Sequence, residues 1–551
     1  MEEHHIQLPS GQPVTEAYIH KSDPKLLELF GYHWKEERDW KARALWLEQS
    51  EASRAQRAEV AQALYSYNAA HGASASALRH IEQLKDGALA VIGGQQAGLW
   101  SGPLMVLHKA VTIIQNAVSA RQRLGQPVVP IFWIAGEDHD WEEANHAYLV
   151  TSEPKLRKLE LQRPKGARTS VSRSLLRPGQ WQQALAELAA VLPDSPHKPE
   201  LLDRLHGLTA DAATLTDMFA SMLAWLFGSH GLIVMDADDP AIRRLESPMF
   251  EQMIRSNESL YDAYGAAQQR LLELGYPIQA EQADNSANLF HFAPAAGASA
   301  AGDRLLLQRN GDRFEDRKRQ VSYTREELLM LAKQEPEQLS NNVLTRPLMQ
   351  DYLFPVLATV LGPGEIAYWA ATGNAFKQLG MEMPIVVPRR SFTLIDAGTA
   401  KHMEKYKLSV HTVLDHYEQY RNEWLNRQEG LQPMDQPLEQ MQRELERMYE
   451  PVLAKLAGYG ADMVALGETN RRKVVEQLEY LKGRLHLERS RRHEEQLRQM
   501  DRVQLQLCPL GKPQERVLNV VQLWNQWGLH WLEQLLQLPY DEDCSHRIVY
   551  I

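Results

Sequence analysis

Four consecutive ionisable side chains, Glu137, Asp138, His139 and Asp140, follow the apolar run Phe132-Trp-Ile-Ala-Gly136. Three carboxylates crowded around one imidazole repel one another, so their gathering calls for a use: proton transfer, metal binding or the holding of a cationic substrate. Asn145 and His146 close the same stretch. The spacing fits no zincin or related motif, so no metal ligand set is assigned. The plainer alternative is a capping cluster, with Asp140 as N-cap and Glu142 and Glu143 in the first turn of a short helix.

A second group lies upstream, in Gly93-Gly94-Gln95-Gln96-Ala97-Gly98 and Ser101-Gly102-Pro103. The backbone at Gly94, Gly98, Ser101 and Gly102 is a candidate phosphate cradle, because glycines permit close approach and a helix N-terminus offers N–H donors. Neither a Walker loop nor a GxGxxG fingerprint is present, and a tight structural turn is the competing reading. Gln95 and Gln96 place two amides at a strand end, offering donors and acceptors to a polar ligand. His108 and Lys109 lie about two turns into the following helix, where only one of them can face the site; a hydrogen-bonded structural histidine is the alternative. Arg389, Arg390 and Ser391 end a later strand, and arginine forks suit carboxylate or phosphate unless they are ordinary surface charges. No Gly-x-Ser-x-Gly elbow or catalytic-cysteine signature occurs.

The elements that must hold these groups read as α/β. Ala88–Ile92 is a short buried strand, Ser101 caps a helix with Pro103 at its first position, and Pro127–Ile134 is the next strand: a right-handed parallel βαβ unit. Gly231–Pro240 gives a third strand ending in Asp236, Asp238 and Asp239, Phe354–Leu361 a fourth, and Pro384–Ser391 a last. Glu365 to Leu379 reads as one helix, and Asn310-Gly311 as the turn of a hairpin. The predicted division is a helical segment over 1–85, core over 86–149, an insertion over 150–208, core over 209–275, an insertion over 276–338, core over 339–397, a helical domain over 398–505 and a C-terminal segment over 506–551. Leu438, Met441, Leu445, Met448 and Val452, and then Val474, Leu478, Leu481 and Leu485, alternate steps of three and four. That is a heptad seam, folded into a hairpin near Gly458 to Gly467, and its apolar surface predicts pairing with a second copy.

The chain has 551 residues, a net charge of −11 and two cysteines, Cys508 and Cys544. The acidic balance argues against non-specific nucleic-acid binding, and the cysteine count against a disulfide framework or a four-cysteine zinc site. No apolar run is long enough to span a bilayer, and the start lacks the basic and apolar regions of a signal peptide, so the expected compartment is the cytoplasm and no membrane partner is expected.

Taken together, Gly94-Gln-Gln-Ala-Gly98, Ser101-Gly-Pro-Leu104 with His108-Lys109, Pro130-Ile-Phe-Trp-Ile-Ala-Gly-Glu-Asp-His-Asp140, Asn145-His146, Leu361-Gly-Pro-Gly-Glu365 and Pro388-Arg-Arg-Ser391 resemble the cysteine-adding enzyme family of bacillithiol biosynthesis over essentially the full length. The resemblance implies a Rossmann-like parallel-sheet core with two inserted connecting peptides, plus a C-terminal α-helical coiled-coil domain that makes a homodimer. It implies addition of cysteine to glucosaminyl-malate through an amide bond. A free carboxylate is a poor electrophile, so ATP is the expected activator, with Mg²⁺ as its companion. The core also resembles class I aminoacyl-tRNA synthetases, but with Ser101-Gly-Pro in place of their His-x-Gly-His motif, Pro388-Arg-Arg-Ser391 in place of Lys-Met-Ser-Lys-Ser, and no evident zinc site. On this reading Asp138 or Asp140 holds the sugar amine and His139 or Glu137 removes its proton. Gln95, Gln96 and the helix start hold phosphate or the malate carboxylate, and Arg389 and Arg390 balance developing negative charge. A metal-dependent amide or ester hydrolase, and a non-catalytic coiled-coil assembly protein with a nucleotide-binding core, are the alternatives. All of this requires the 94–109 and 136–146 segments to meet across neighbouring strand tips.

Overall fold

Apolar runs with few alternating polar residues are the mark of strands covered on both faces. Five such runs form a parallel sheet in the computed structural model, which describes residues 2–151, 153, 155–293, 302–428 and 435–551. Parts of the second insertion (294–301) and of the helical domain (429–434) lie outside the described residues. The strands are β1 (Leu89–Gln95), β2 (Val128–Ile134), β3 (Ile233–Asp236), β4 (Val356–Leu361) and β5 (Ile385–Pro388). Their order is β5-β4-β1-β2-β3, all parallel. The chain winds outward through β1, β2 and β3, then returns to the other side of β1 for β4 and β5. The reversal between β1 and β4 is the switch point at whose carboxyl side such sheets bind ligands.

Helix α1 (Met105–Leu124) makes the first crossover and is buried almost throughout its first three turns. It packs so closely that a methyl group at Gly93 would sit 2.8 Å from Ile113 Cδ1. Gly125, in the left-handed region at φ 68°, ends it. Helix α2 (Leu215–Phe227) precedes β3 and starts with a capping box between Thr214 and Asp217, a device worth about 1 kcal/mol. Between β3 and β4 the second insertion builds an antiparallel sheet in the order Ser322–Thr324, Arg313–Asp316, Arg304–Asn310, Ser286–Phe292, Leu339–Asn341. It includes the hairpin expected around Gly311. Its last strand leads into α3 (Arg346–Leu353), which feeds β4. A third sheet joins Glu2–Ile6, His546–Tyr550 and Phe392–Ile395.

Four expectations need correction. The first residues are not helical: Glu2–Ile6 is a strand paired antiparallel with His546–Tyr550. Helix α1 begins at Met105, not Pro103, and no side chain caps it. The stretch after Gly362 is two helices, α4 (Pro363–Trp369) and Gly373–Gln378, split by a bend at Thr372. The helical unit has wider bounds than 398–505: Ile395–Pro513 form one compact unit, and residues 1–394 with 514–551 the other.

The second unit is helical. Its two longest helices, α5 (Asp435–Leu456) and α6 (Ala461–Arg492), pack against each other as a hairpin bent at 457–460. Gly467 permits the approach, since a methyl there would lie 2.7 Å from both Leu453 and Leu456. Leu438 is buried and Leu445 half-buried, but Met441, Met448 and Val452 are 52%, 71% and 50% exposed. The seam thus divides into an inner stripe that closes the hairpin and an outer one that faces solvent.

Candidate active site at the carboxyl ends of the sheet

Because β1 and β2 are neighbours in register, their tips bring the two sequence clusters together. The Ala135 N–H donates to the Gln95 carbonyl at 2.9 Å, and the Gln96 side chain donates to Asp138. The 94–109 and 136–146 segments therefore meet, as the sequence reading required. Asp138 Oδ1 also accepts the N–H groups of His139 (2.7 Å) and Asp140 (3.3 Å), which fixes the turn. Both Asp138 and His139 keep side chains 32% exposed.

Arg304, delivered by the antiparallel sheet, lies 3.9 Å over the Phe290 ring and points Nη1 at His139 Nδ1, 3.4 Å away. Nδ1 also stands 3.5 Å from Asp138 Oδ1; a guanidinium can only donate, so the Arg304 contact is a hydrogen bond in the tautomer that carries its proton on Nε2. Burial and the Arg304 charge hold the imidazole below its ordinary range, with Asp138 opposing. His139 is thus a neutral ring that presents an N–H.

Glu137 turns the other way. It is buried, pairs with Arg243 and accepts the Asn341 N–H at 3.3 Å. Arg243 also binds Glu246 at 2.7 Å and approaches Asp238 at 3.6 Å. Asp238 in turn takes Arg173 through two contacts of 2.8 Å and the Ser170 hydroxyl at 2.6 Å. Beside it, Asp236 accepts the Ser172 hydroxyl at 2.6 Å; burial and Asp238 push its carboxyl up to about 7. Any side chain at position 136 would collide with Ser172 and Asp236, which is why a glycine precedes Glu137. Asp140 is exposed and caps Trp141–Ala144, accepting the Glu143 N–H at 3.3 Å. Asn145 donates to the Leu161 carbonyl (2.9 Å) and Glu160 (3.2 Å), and His146 Nδ1 meets the Glu142 carbonyl at 2.9 Å. These last two hold the His146–Val150 strand rather than converging on Asp138.

At the switch point, Lys109 is buried and its ammonium reaches the Gly94 carbonyl (2.6 Å), Gln95 Oε1 (3.1 Å) and Glu365 Oε2 (2.5 Å). All three ammonium hydrogens are taken. Burial lowers its pKa, while Glu365 opposes. Lys109 thereby ties the tip of β1 to the start of α4 across the reversal.

Three other expected ligand groups serve a partner that the sequence reading did not single out. Glu515 receives Arg389 through two contacts (3.0 and 2.6 Å), His108 Nδ1 (2.8 Å) and the Ser391 hydroxyl (3.1 Å). Although burial opposes it, Arg389 and His108 hold this carboxyl well below the usual range. Arg390 binds Gln115 (2.6 Å) and the Pro539 carbonyl (2.9 Å). Both arginines and His108 therefore fasten the C-terminal segment to the core.

The expected phosphate cradle is also filled by the chain itself. Trp100, Ser101 and Gly102 all lie at positive φ (47°, 71° and 69°). Asn519 Nδ2 donates to the Leu99 and Gly102 carbonyls, both at 2.9 Å, and the Leu104 N–H is taken by the Leu518 carbonyl at 2.9 Å. A methyl at Gly98 would be 2.7 Å from Gly102 Cα, so this glycine pair serves a backbone crossing. Residues 98–102 do not fit a phosphate at the start of α1. Among the described residues no group of three His, Cys, Asp or Glu side chains is placed to hold a metal ion, and no helix is long and apolar enough to cross a membrane.

Sequence reasoning missed Arg304, Asn341, Arg346 and Glu515. None stands in a motif, and each is brought in from a region distant in sequence from the strand tips.

A doubly wound α/β core that gathers a carboxylate, a neutral imidazole and buried guanidinium groups at its strand ends, with a helical domain attached, defines a Rossmann-like enzyme. The N-terminal Rossmann-like domain of bacillithiol biosynthesis BshC matches residues 1–390, and the BshC C-terminal coiled-coil domain matches 392–551. The chain belongs to the BshC family. A relative from Symbiobacterium thermophilum named "Putative cysteine ligase BshC" is 34% identical over 543 residues, covering 96% of each chain. One of the same name from a Geobacillus species is 32% identical over 562 residues, covering both chains fully. A solved Campylobacter jejuni chain titled "putative arginyl t-RNA synthetase" aligns over 78% of this chain and 94% of its own at 10% identity with a TM-score of 0.20, too low to carry an argument. The coiled-coil match includes 514–551, which in this structure pack with the Rossmann-like unit.

Proposed function

We propose that this chain is a carbon–nitrogen ligase that joins L-cysteine to glucosaminyl-malate through an amide bond and so makes bacillithiol. Its full-length relationship to chains named cysteine ligase supports the reaction class. The structural observation that carries the residue assignment is the Gln96–Asp138 contact, which builds one polar wall from two strand tips.

An amine near neutral pH is an ammonium, and it must lose a proton before it can attack a carboxyl carbon. Asp138, part-exposed and fixed by the turn, holds that ammonium and takes its proton directly or through water. His139 directs Nε2–H toward the acyl oxygen as negative charge develops there. Glu137, bound to Arg243, positions the turn. The cysteine carboxylate needs activation, for which ATP with Mg²⁺ is the proposed source; the 98–102 loop is not its binding place. The proposed compartment is the cytoplasm, supported by two unpaired cysteines. The outer stripe of Met441, Met448 and Val452 supports a homodimer through the helical hairpin.

The test is incubation of the purified chain with cysteine, glucosaminyl-malate and ATP, following product mass together with AMP or ADP. Asp138→Asn is expected to lower kcat/KM by roughly 100-fold or more at an unchanged melting temperature. Product formation at the parent rate in Asp138→Asn would overturn the assignment.

A further inference from the structure

Arg346 is the first residue of α3 and is 9% exposed. Its guanidinium has only neutral contacts: Nη1 donates to Gln350 Oε1 at 2.9 Å, Nη2 lies 3.4 Å from the Tyr368 hydroxyl, and the Trp369 ring is 5.9 Å below. Among the described residues no carboxylate lies within 4.0 Å of it. The two carboxylates whose fields reach it are already committed, Glu365 to Lys109 and Glu137 to Arg243. Those fields keep Arg346 charged without neutralising it by contact.

Other buried guanidinium groups around the sheet tips have carboxylate partners: Arg243 has Glu137 and Arg389 has Glu515, while Arg304 stands 4.0 Å from Asp138. Burying an unpaired charge costs several kcal/mol, so an exception needs a reason. Its location supplies one. Arg346 reaches Tyr368 and Trp369 of α4, which starts just beyond β4, and it follows the strand Leu339–Asn341, whose Asn341 N–H holds Glu137 at the tip of β2, so it stands beside the crevice between those strand ends. A second observation lies at the end of the strand that leads into α3. Asn341 is 2% exposed, and neither its side-chain oxygen nor its nitrogen has a partner, while its own N–H binds Glu137 and its carbonyl accepts Arg304 at 2.6 Å. A buried amide with both ends unpaired costs about 1–3 kcal/mol per group unless a ligand or water satisfies it.

We propose that Arg346, assisted by the Asn341 amide, is the carboxylate-recognition residue of this site. It takes a carboxylate of one of the two acid substrates, cysteine or the malyl group, and so orients that substrate over the β1–β4 reversal. The proposal rests on the ligase reading for the names of those acids, but not for the chemistry of the group bound. Three remaining N–H directions of the guanidinium suit two oxygens of one carboxylate.

The test compares parent, Arg346→Met and Arg346→Lys chains. The expected result is a rise of roughly 30-fold or more in KM for cysteine or for glucosaminyl-malate in Arg346→Met, with partial recovery in Arg346→Lys and the KM for ATP unchanged. Which acid responds identifies the carboxylate. The far-ultraviolet signal of Arg346→Met is expected to match that of the parent, so that the KM change reports binding and not loss of fold. Unchanged KM values for both acids, or a rise for ATP alone, would overturn the proposal; so would a fall in melting temperature with intact KM values. Should Arg346→Met fail to fold, calorimetry on the parent chain decides. Malate and cysteine should bind more tightly than malamide and cysteinamide, and equal binding of acid and amide would be fatal to it. If the parent chain makes no product yet shows this preference, the ligase reading falls and the carboxylate site stands.

Discussion

At the residue scale the decisive contact is between Arg304 and His139. A cation beside an imidazole penalises the imidazolium, so replacing Arg304 should let the His139 pKa rise toward the ordinary histidine value. In Arg304→Met a histidine-labelled NMR titration is expected to show the His139 midpoint at higher pH than in the parent. A midpoint that stays in place would mean that the Arg304 charge does not act on His139. Asp236 gives a second test, of opposite kind. Its folded carboxyl is pushed up to about 7 from an ordinary value of 3.8, so between those values the folded chain holds a proton that the unfolded chain has lost. Stability from this group is therefore fully present below pH 3.8 and is lost as pH rises through about 7. Asp236→Asn should raise the melting temperature at pH 8 and change it little at pH 4. The Glu137–Asp140 run was legible because it is contiguous and polar after an apolar strand. The opposed directions of Glu137 and Asp138 were not, since they depend on Arg243 and Gln96, which come from other elements.

At the scale of elements, apolar runs and their punctuation disclosed the βαβ core, but a proline misplaced the start of α1. Pro103 suits a first helical turn, yet it is held in an isolated bridge with Asn519, so the helix starts later. Nothing local to residues 98–109 signals that partner, nor does anything local announce Glu515. The Glu515 network makes a strong prediction. Glu515→Gln leaves Arg389 buried with no full charge opposite, at a cost of about 3–5 kcal/mol by analogy with broken buried pairs. The folded pKa of Glu515 is depressed, so its contribution is present above the unfolded carboxyl value and is lost as pH falls below it. Chemical denaturation at pH 7 and pH 4 should show a large gap between parent and Glu515→Gln at pH 7, narrowing at pH 4. A gap that is equal at both values would refute the charged-pair account.

At the scale of the molecule, heptad spacing announced the helical hairpin, though it could not say which apolar positions close it. Leu438 and Leu445 turn inward, while Met441, Met448 and Val452 do not, because Gly467 sets where α5 and α6 approach each other. If that outer stripe binds a second copy, Met448→Glu with Val452→Glu should convert a dimer into a monomer by light scattering while leaving the far-ultraviolet helical signal intact. A parent chain already monomeric at micromolar concentration would exclude the pairing.

The edge pairing of Glu2–Ile6 with His546–Tyr550 also bears on how the chain is made. On a ribosome Glu2–Ile6 emerges long before the strand that completes its ladder, which follows the whole helical unit. At about 5–20 residues per second this leaves an open edge waiting for roughly half a minute to two minutes. During that wait the nascent polypeptide is a natural client for chaperones, and ribosome profiling with crosslinking should find them resting on Glu2–Ile6 until His546–Tyr550 has been made.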